Sequence, residues 1–331
     1  MSKTLVLPTR TGNGLLGHPW SDFAVRRLVR LVTSLWVLVT ASFLMIHLVP
    51  GDPVRAALGF TAPPEVVASR RAELGLDNPL WQQYADYLRA VLHGEFGVSM
   101  VSNLPVSQVI GDSLPPTLAI AIASFVVVVA LSVPAGVATA ALTRGGRHRL
   151  SELAFTSTTV ILATIPAFLL AVALVYLFAV QLTWFPVAGR EGISSYVLPV
   201  VSLAIGPAAV LARIIRVEML SVLGNDYIRT ARAKRLSAGA VYLRHALPNA
   251  LTATLTLGGL MLSSLVAGTV LVENVFAWPG LGSTIVQSIQ QKDYPMVQAI
   301  VLVYGIGVLL VNLLVDVMLA VLDPQSTIRD A

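Results

Sequence analysis

Six apolar runs, each long enough at about 20 residues to cross a bilayer core, constrain this chain more than any motif does. They fall near residues 31–49, 117–142, 153–182, 196–212, 250–272 and 297–321. Backbone inside lipid must satisfy its own hydrogen bonds, so the class implied is an all-α integral membrane protein with six transmembrane helices. Charged residues make up 12% of the chain, against about 25% in soluble domains, which excludes an ordinary globular protein. The first run follows a polar tail and exceeds the roughly 7–15 apolar residues of a cleavable signal, so it reads as a retained anchor. Pro166 lies in the middle of the third run, where a kinked helix and a closely broken pair are both possible, the kink being the less costly.

Sixteen of the 22 Lys and Arg fall before the first run, between the second and third, between the fourth and fifth, and after the sixth. Cytoplasmic loops collect such residues, so both termini are expected inside the cell. The basic balance is thereby explained by topology, and no nucleic acid is implied. The division expected is a cytoplasmic tail over 1–30, a first span at 31–49, an extracytoplasmic helical cap over 50–116, a five-helix core over 117–321 carrying a cytoplasmic loop at 213–249, and a cytoplasmic tail over 322–331. In the cap, Pro63 and Pro64 suit a helix start and Gly75 a stop; Pro79 opens a second helix with Leu80, Tyr84, Tyr87, Leu88 and Val91 on one face, ended by Gly94. Such a cap either packs on the span ends or docks an extracytoplasmic partner.

Patterns for catalysis and metal binding are missing from the sequence. The five histidines include no i, i+4 pair, there is no cysteine, and neither a Gly-x-x-x-x-Gly-Lys-Ser/Thr loop nor a Gly-x-Ser-x-Gly elbow occurs. The chain therefore reads as a non-enzyme with no metal or cofactor of its own. Asn312 and Asp316 share a face near the end of the last run, where they either anchor a neighbouring helix or line a pathway. With no paired intramembrane acid and base, an ion-coupled secondary transporter is the weaker alternative.

The loop between the fourth and fifth runs reads DYIRTARAKRLSAGAVYLRHALPN over residues 226–249. Asn225 or Asp226 can cap a short helix with Arg229, Arg232 and Arg235 on one side and the small residues Ile228, Ala231 and Ala233 on the other. Ser237 can cap a second helix running to Pro248. A helix, tight turn and helix of this kind either docks by its small side in a groove of a soluble partner or rests on anionic lipid headgroups.

The spacing of this loop resembles the EAA loop of permease subunits of binding-protein-dependent ABC importers. Arg229-Thr230-Ala231 stands at the triplet, Arg235 at the position usually held by glycine, and Leu247-Pro248 at the end. The basic triplet is similar to that of the oligopeptide and dipeptide branch, as are Val49-Pro50-Gly51-Asp52-Pro53, Leu74-Gly75-Leu76-Asp77, Gly97 with Ser99, Val272-Glu273 with Trp278-Pro279-Gly280-Leu281-Gly282, Asp293-Tyr294-Pro295, and Asn312 to Asp316 closing on Leu322-Asp323-Pro324. The resemblance implies a multi-pass protein of the bacterial inner membrane that forms half of a peptide pathway. Its implied partners are a second, different permease subunit, two ATP-binding subunits that carry ATP and Mg, an extracytoplasmic substrate-binding protein, and membrane lipids. It implies ATPase coupling through Ile228, Arg229, Thr230, Ala231, Arg232, Ala233, Lys234, Arg235, Leu236 and Ser237. It also implies support of the loop by Leu247, Pro248 and Asn249, and external gating or docking by Glu273, Trp278, Pro279, Gly280, Leu281 and Gly282. The same architecture is compatible with nickel, glutathione, glycopeptide or haem as cargo.

Overall fold

The computed structural model describes residues 19–48, 52–59, 61–73, 75–146 and 148–322. The tail before Pro19, Pro50 and Gly51, Leu74, and the closing Asp323-Pro324 lie outside them. The described chain forms, in order, α1 (Pro19–Leu48), α2 (Pro53–Leu58), α3 (Pro64–Glu73), α4 (Leu80–His93), α5 (Val106–Thr143), α6 (Arg149–Thr164), α7 (Ala167–Leu174), α8 (Ser194–Val222), α9 (Asp226–Ala233), α10 (Leu247–Val275), α11 (Leu281–Gln290) and α12 (Tyr294–Leu322). Among the described residues the β pairing is a lone bridge between Val98 and Pro105.

Stretches of α1, α5, α8, α10 and α12 are long and apolar enough to cross a membrane. Taken together, α6, α7 and the π-helical turn Val175–Gln181 are also long and apolar enough for a crossing, as a pair bent by 92°. The break, rather than the cheaper kink expected, follows from Pro166. Its ring pushes the preceding residue out of the helical region, and Ile165 adopts extended backbone (φ −72°, ψ 119°), so α6 ends there and α7 starts anew.

Contacts between sequence-distant residues fix the two ends of the bundle. At one end Arg216 of α8 donates to Thr143 of α5, and Arg27 of α1 pairs with Asp316 of α12. At the other, the Trp278 indole donates to the Pro116 carbonyl, and the Gly189 N–H donates to the Phe276 carbonyl. The bent pair thus carries the chain from the Thr143 end to the Gly189 end. The α1 start, the α5–α6 turn, the α8–α10 connection and the α12 end share the first end, and together these segments hold most of the Lys and Arg.

Burial orders the helices. Within its apolar stretch α8 is 61% buried by the rest of the chain, whereas α1 and α12 are 11% buried, so α8 is the central post and the other two form the outer wall. Without a hydrophobic drive between helices in lipid, close backbone approach carries the packing. At Gly136 of α5, an added Cβ would lie 2.8 Å from the Ala212 carbonyl oxygen of α8, a separation only glycine permits. On the outer wall, Ser42 and Gln298 exchange two hydrogen bonds between α1 and α12 at 3.0 and 2.8 Å.

The segment between α1 and α5 is helical, and α4 lies against α1. Tyr84 Oη is 2.7 Å from Thr40 Oγ1, the Tyr87 hydroxyl donates to Ser42 at 3.2 Å, and His47 Nε2 is 3.0 Å from Gln83 Oε1. Leu80, expected on the packed face, is exposed instead. The long helix α5 begins at Val106, eleven residues before the apolar run at Thr117, so residues 106–116 continue the helix of that run.

Candidate coupling surface and external turn

At the Arg216 end, α8 stops at Val222 and α9 starts after Asn225, which holds the N-cap position in extended backbone without a side-chain capping bond. Ile228 and Ala231, one turn apart, are buried in the same apolar cluster as Val222, Leu223, Val241 and Ala246. Two of the three small residues, Ile228 and Ala231, thus anchor the helix to its own chain, while Ala233 stays exposed. The exposed surface is made instead by Tyr227, Arg229, Thr230, Ala233, Lys234 and Leu236, with Ser237 beside them and Arg232 half-buried. It is cationic, with Tyr227 and Leu236 as apolar points.

Arg235 closes α9. Its φ is +58°, its N–H donates to the Arg232 carbonyl at 2.8 Å, and the N–H of Leu236 reaches the Ala231 carbonyl at 3.4 Å. These two bonds are the Schellman ending, in which the residue after the C-cap is left-handed and is usually glycine. The turn therefore has the left-handed geometry that glycine favours, with a long cation in that place. Next, Ser237 Oγ accepts the Ala240 N–H at 3.3 Å, and a π-helical turn, Ala240–Ala246, runs straight into α10. Pro248 has no N–H to donate, and the Asn249 amide donates to the His245 carbonyl at 2.8 Å, supporting backbone that the wide turn leaves open.

The Trp278–Gly282 turn at the opposite end is an internal strut. Trp278, Gly280, Leu281 and Gly282 are buried, and of this run Pro279 alone is exposed. Trp278 meets the Tyr196 ring edge-on at 4.6 Å, and the Arg190 guanidinium lies 5.9 Å from its ring centre. Glu273, fully buried, accepts N–H bonds from Gly282 at 2.7 Å and Ser283 at 3.2 Å, so a carboxylate of α10 caps α11. Leu281 N–H donates to Thr117 of α5 at 2.8 Å. An added Cβ at Gly280 would be 2.4 Å from Glu273 Oε2, and at Gly282 it would be 2.5 Å from the Val270 Cα. Burial keeps these residues, Pro279 apart, off any surface that a docked protein could touch in this conformation.

Asn312 accepts a bond from Ser263 at 3.1 Å, and Asp316 pairs with Arg27 at 2.6 Å. Both polar residues therefore tie α12 to neighbouring helices.

Two connections and one helix are absent from the expectations above. Asp293, buried between α11 and α12, accepts the Ser99 hydroxyl and the Met100 N–H, the latter at 3.1 Å. Arg216 bridges Thr143 at 3.1 Å and Glu152 at 2.7 Å, tying α5, α6 and α8 together. The helix is α11. Its signal was present in Leu281, Ile285, Val286 and Ile289 at helical spacing.

The family described as binding-protein-dependent transport system inner membrane component matches residues 132–327, and its N-terminal companion matches residues 21–121. Over 303 residues, 92% of this chain and 98% of the relative, the sequence is 38% identical to the glutathione transport system permease protein GsiC of Escherichia coli. Identity to the protein of that name from Salmonella typhi is 39% over the same length. The fold is similar to that of the MetNI methionine ABC transporter solved in inward-facing conformations, with a TM-score of 0.54 and 20% identity over 65% of this chain and 96% of that one. The chain belongs to the binding-protein-dependent transport system inner membrane component family and is a multi-pass, non-catalytic permease subunit of an ABC importer.

Proposed function

We propose that this subunit encloses half of a pathway that imports di- or oligopeptides, glutathione included, with a second and different permease subunit supplying the other half. Two ATP-binding subunits, holding ATP and Mg, dock on the exposed face of residues 227–237, and an extracytoplasmic binding protein delivers cargo at the Trp278 end. The observation that carries this reading is the rigid cationic knob. A helix pinned by Ile228 and Ala231 and ended by the turn at Arg235 presents Arg229, Ala233 and Lys234 at the same end as the other Lys- and Arg-rich segments. The names of the relatives favour glutathione-like or other small peptides over nickel or haem.

Closure of the ATPase pair moves this knob, and a bundle built on the central α8 rocks between inward-open and outward-open arrangements biased by nucleotide. Uptake of labelled glutathione and of a labelled dipeptide into sealed right-side-out vesicles, with binding protein outside and ATP enclosed, tests the proposal. Uptake that needs ATP on the side of the knob and continues after a protonophore supports it. Uptake that stops with the protonophore while ATP is held constant sinks it.

A further inference from the structure

Between α1, α10 and α12 two cavities meet. One, of about 330 Å³, is lined by Arg27, Arg30, Ser34, Asn312 and Asp316. The other, of about 650 Å³, is lined by apolar groups such as Val37, Leu38, Ala41, Ala267 and Val308. Ser34 and Leu309 line both, so they form one groove with a polar mouth and a greasy slot.

The depth of the groove can be measured along each wall. On α1, Arg30 to Ala41 is eleven residues, about 16 Å at the helical rise. On α12, Asp316 to Tyr304 is twelve residues, about 18 Å, and on α10, Leu260 to Val270 is ten, about 15 Å. All three match half of the roughly 30 Å hydrocarbon core, the thickness of one leaflet. The mouth carries two arginines against one aspartate, and Arg27 is already bonded to Asp316, so the site has a net positive charge with Arg30 exposed at its edge.

We infer that this groove holds one phospholipid of the cytoplasmic leaflet, with its anionic headgroup phosphate at Arg30 and one acyl chain in the slot along α1 and α12. The leaflet assignment rests on the inside orientation of the α1 start; the presence of the lipid does not depend on the cargo. A tail one leaflet long and a phosphate at the arginines fit this slot together.

The test uses the assembled transporter in detergent, exposed to equal amounts of phosphatidylglycerol and phosphatidylcholine with identical acyl chains and read by native mass spectrometry. Wild type is expected to retain phosphatidylglycerol about five-fold over phosphatidylcholine, the equivalent of about 1 kcal/mol per basic side chain. Arg30→Gln should bring the two lipids to parity. Arg26→Gln, exposed on the same helix but outside the groove, should keep the preference, and Ala41→Trp, which fills the deep end, should lower retention of both lipids. Equal retention of the two lipids by wild type, or the same loss with Arg26→Gln as with Arg30→Gln, overturns the inference. So does a structure of the complex with a protein helix in the slot.

Discussion

The carboxylate of Glu273 accepts the backbone N–H of Gly282 at 2.7 Å, so the last turn of α10 holds the first turn of α11 from inside the bundle. Replacement by alanine leaves the N–H groups of Gly282 and Ser283 buried without a partner, at about 1–3 kcal/mol each. Glu273→Ala should lower the melting temperature of the complex in detergent clearly, and Glu273→Gln, which keeps an acceptor, should lower it less. An alanine variant that melts with wild type would show that the cap carries no stability.

Gly282→Ala should be more damaging than Gly280→Ala. At position 282 the new methyl meets the Val270 backbone, which cannot yield, while at 280 it meets side-chain atoms of Glu273 and Thr117. Overpacking of this kind costs about 1–3 kcal/mol or more. Gly239→Ala serves as the contrast: its φ is −58° and nothing lies within 4 Å of the added Cβ, so it should be neutral or stabilising by up to about 1 kcal/mol. Melting curves of the three variants give the ranking.

Arg235→Gly should tighten the end of α9. A left-handed L-residue costs about 1–2 kcal/mol, part of which glycine returns through its freer unfolded chain. Slower amide exchange across residues 231–237 in Arg235→Gly and faster exchange in Arg235→Val are the expected readings. If Arg235→Gly instead releases the ATPase subunits, the guanidinium itself makes the contact.

Ala231 and Ala233 separate anchoring from docking. Ala231→Leu enlarges a side chain in the buried cluster and should lower the melting temperature of the subunit itself. Ala233→Leu lies on the exposed face and should leave the subunit folded while the ATPases no longer co-purify. Undiminished co-purification with Ala233→Leu places the contact elsewhere.

Asp293→Ala should loosen the segment between α1 and α5 from the core. It deprives the buried Ser99 hydroxyl and the half-buried Met100 N–H of their acceptor, a loss of about 1–3 kcal/mol for the buried group and less for the other. Limited proteolysis in right-side-out vesicles should cut residues 61–104 several-fold faster, with the spans intact.

The spans were legible because lipid demands long apolar runs, and the loop was legible because charge and spacing survive without a fold. Other features depend on tertiary context. Pro166 announces a disturbance, yet kink and break differ only in how neighbouring helices receive the freed groups. Ala231 suits an exposed face and a buried one equally, so its direction could not be read from size. Arg235 marked the turn by contradicting glycine, and the backbone explains the spacing while leaving the cation's own contribution to experiment. Glu273, Trp278 and Gly282 were visible as a group, but only packing turns them from a surface into a strut. Ser99 and Asp293 stood in separate runs with 193 residues between them, and nothing local links the two.

The broken crossing at Pro166 has a mechanical meaning. Glu152, held by Arg216 at the foot of α8, stands fourteen residues from that break, a lever of about 21 Å. A swing of about five degrees about Pro166 displaces its tip by about 2 Å, enough to break or make a hydrogen bond. The bent pair is thus jointed like a crank, able to turn a small tilt of the central post into a sideways stroke at the Arg216 end of the bundle.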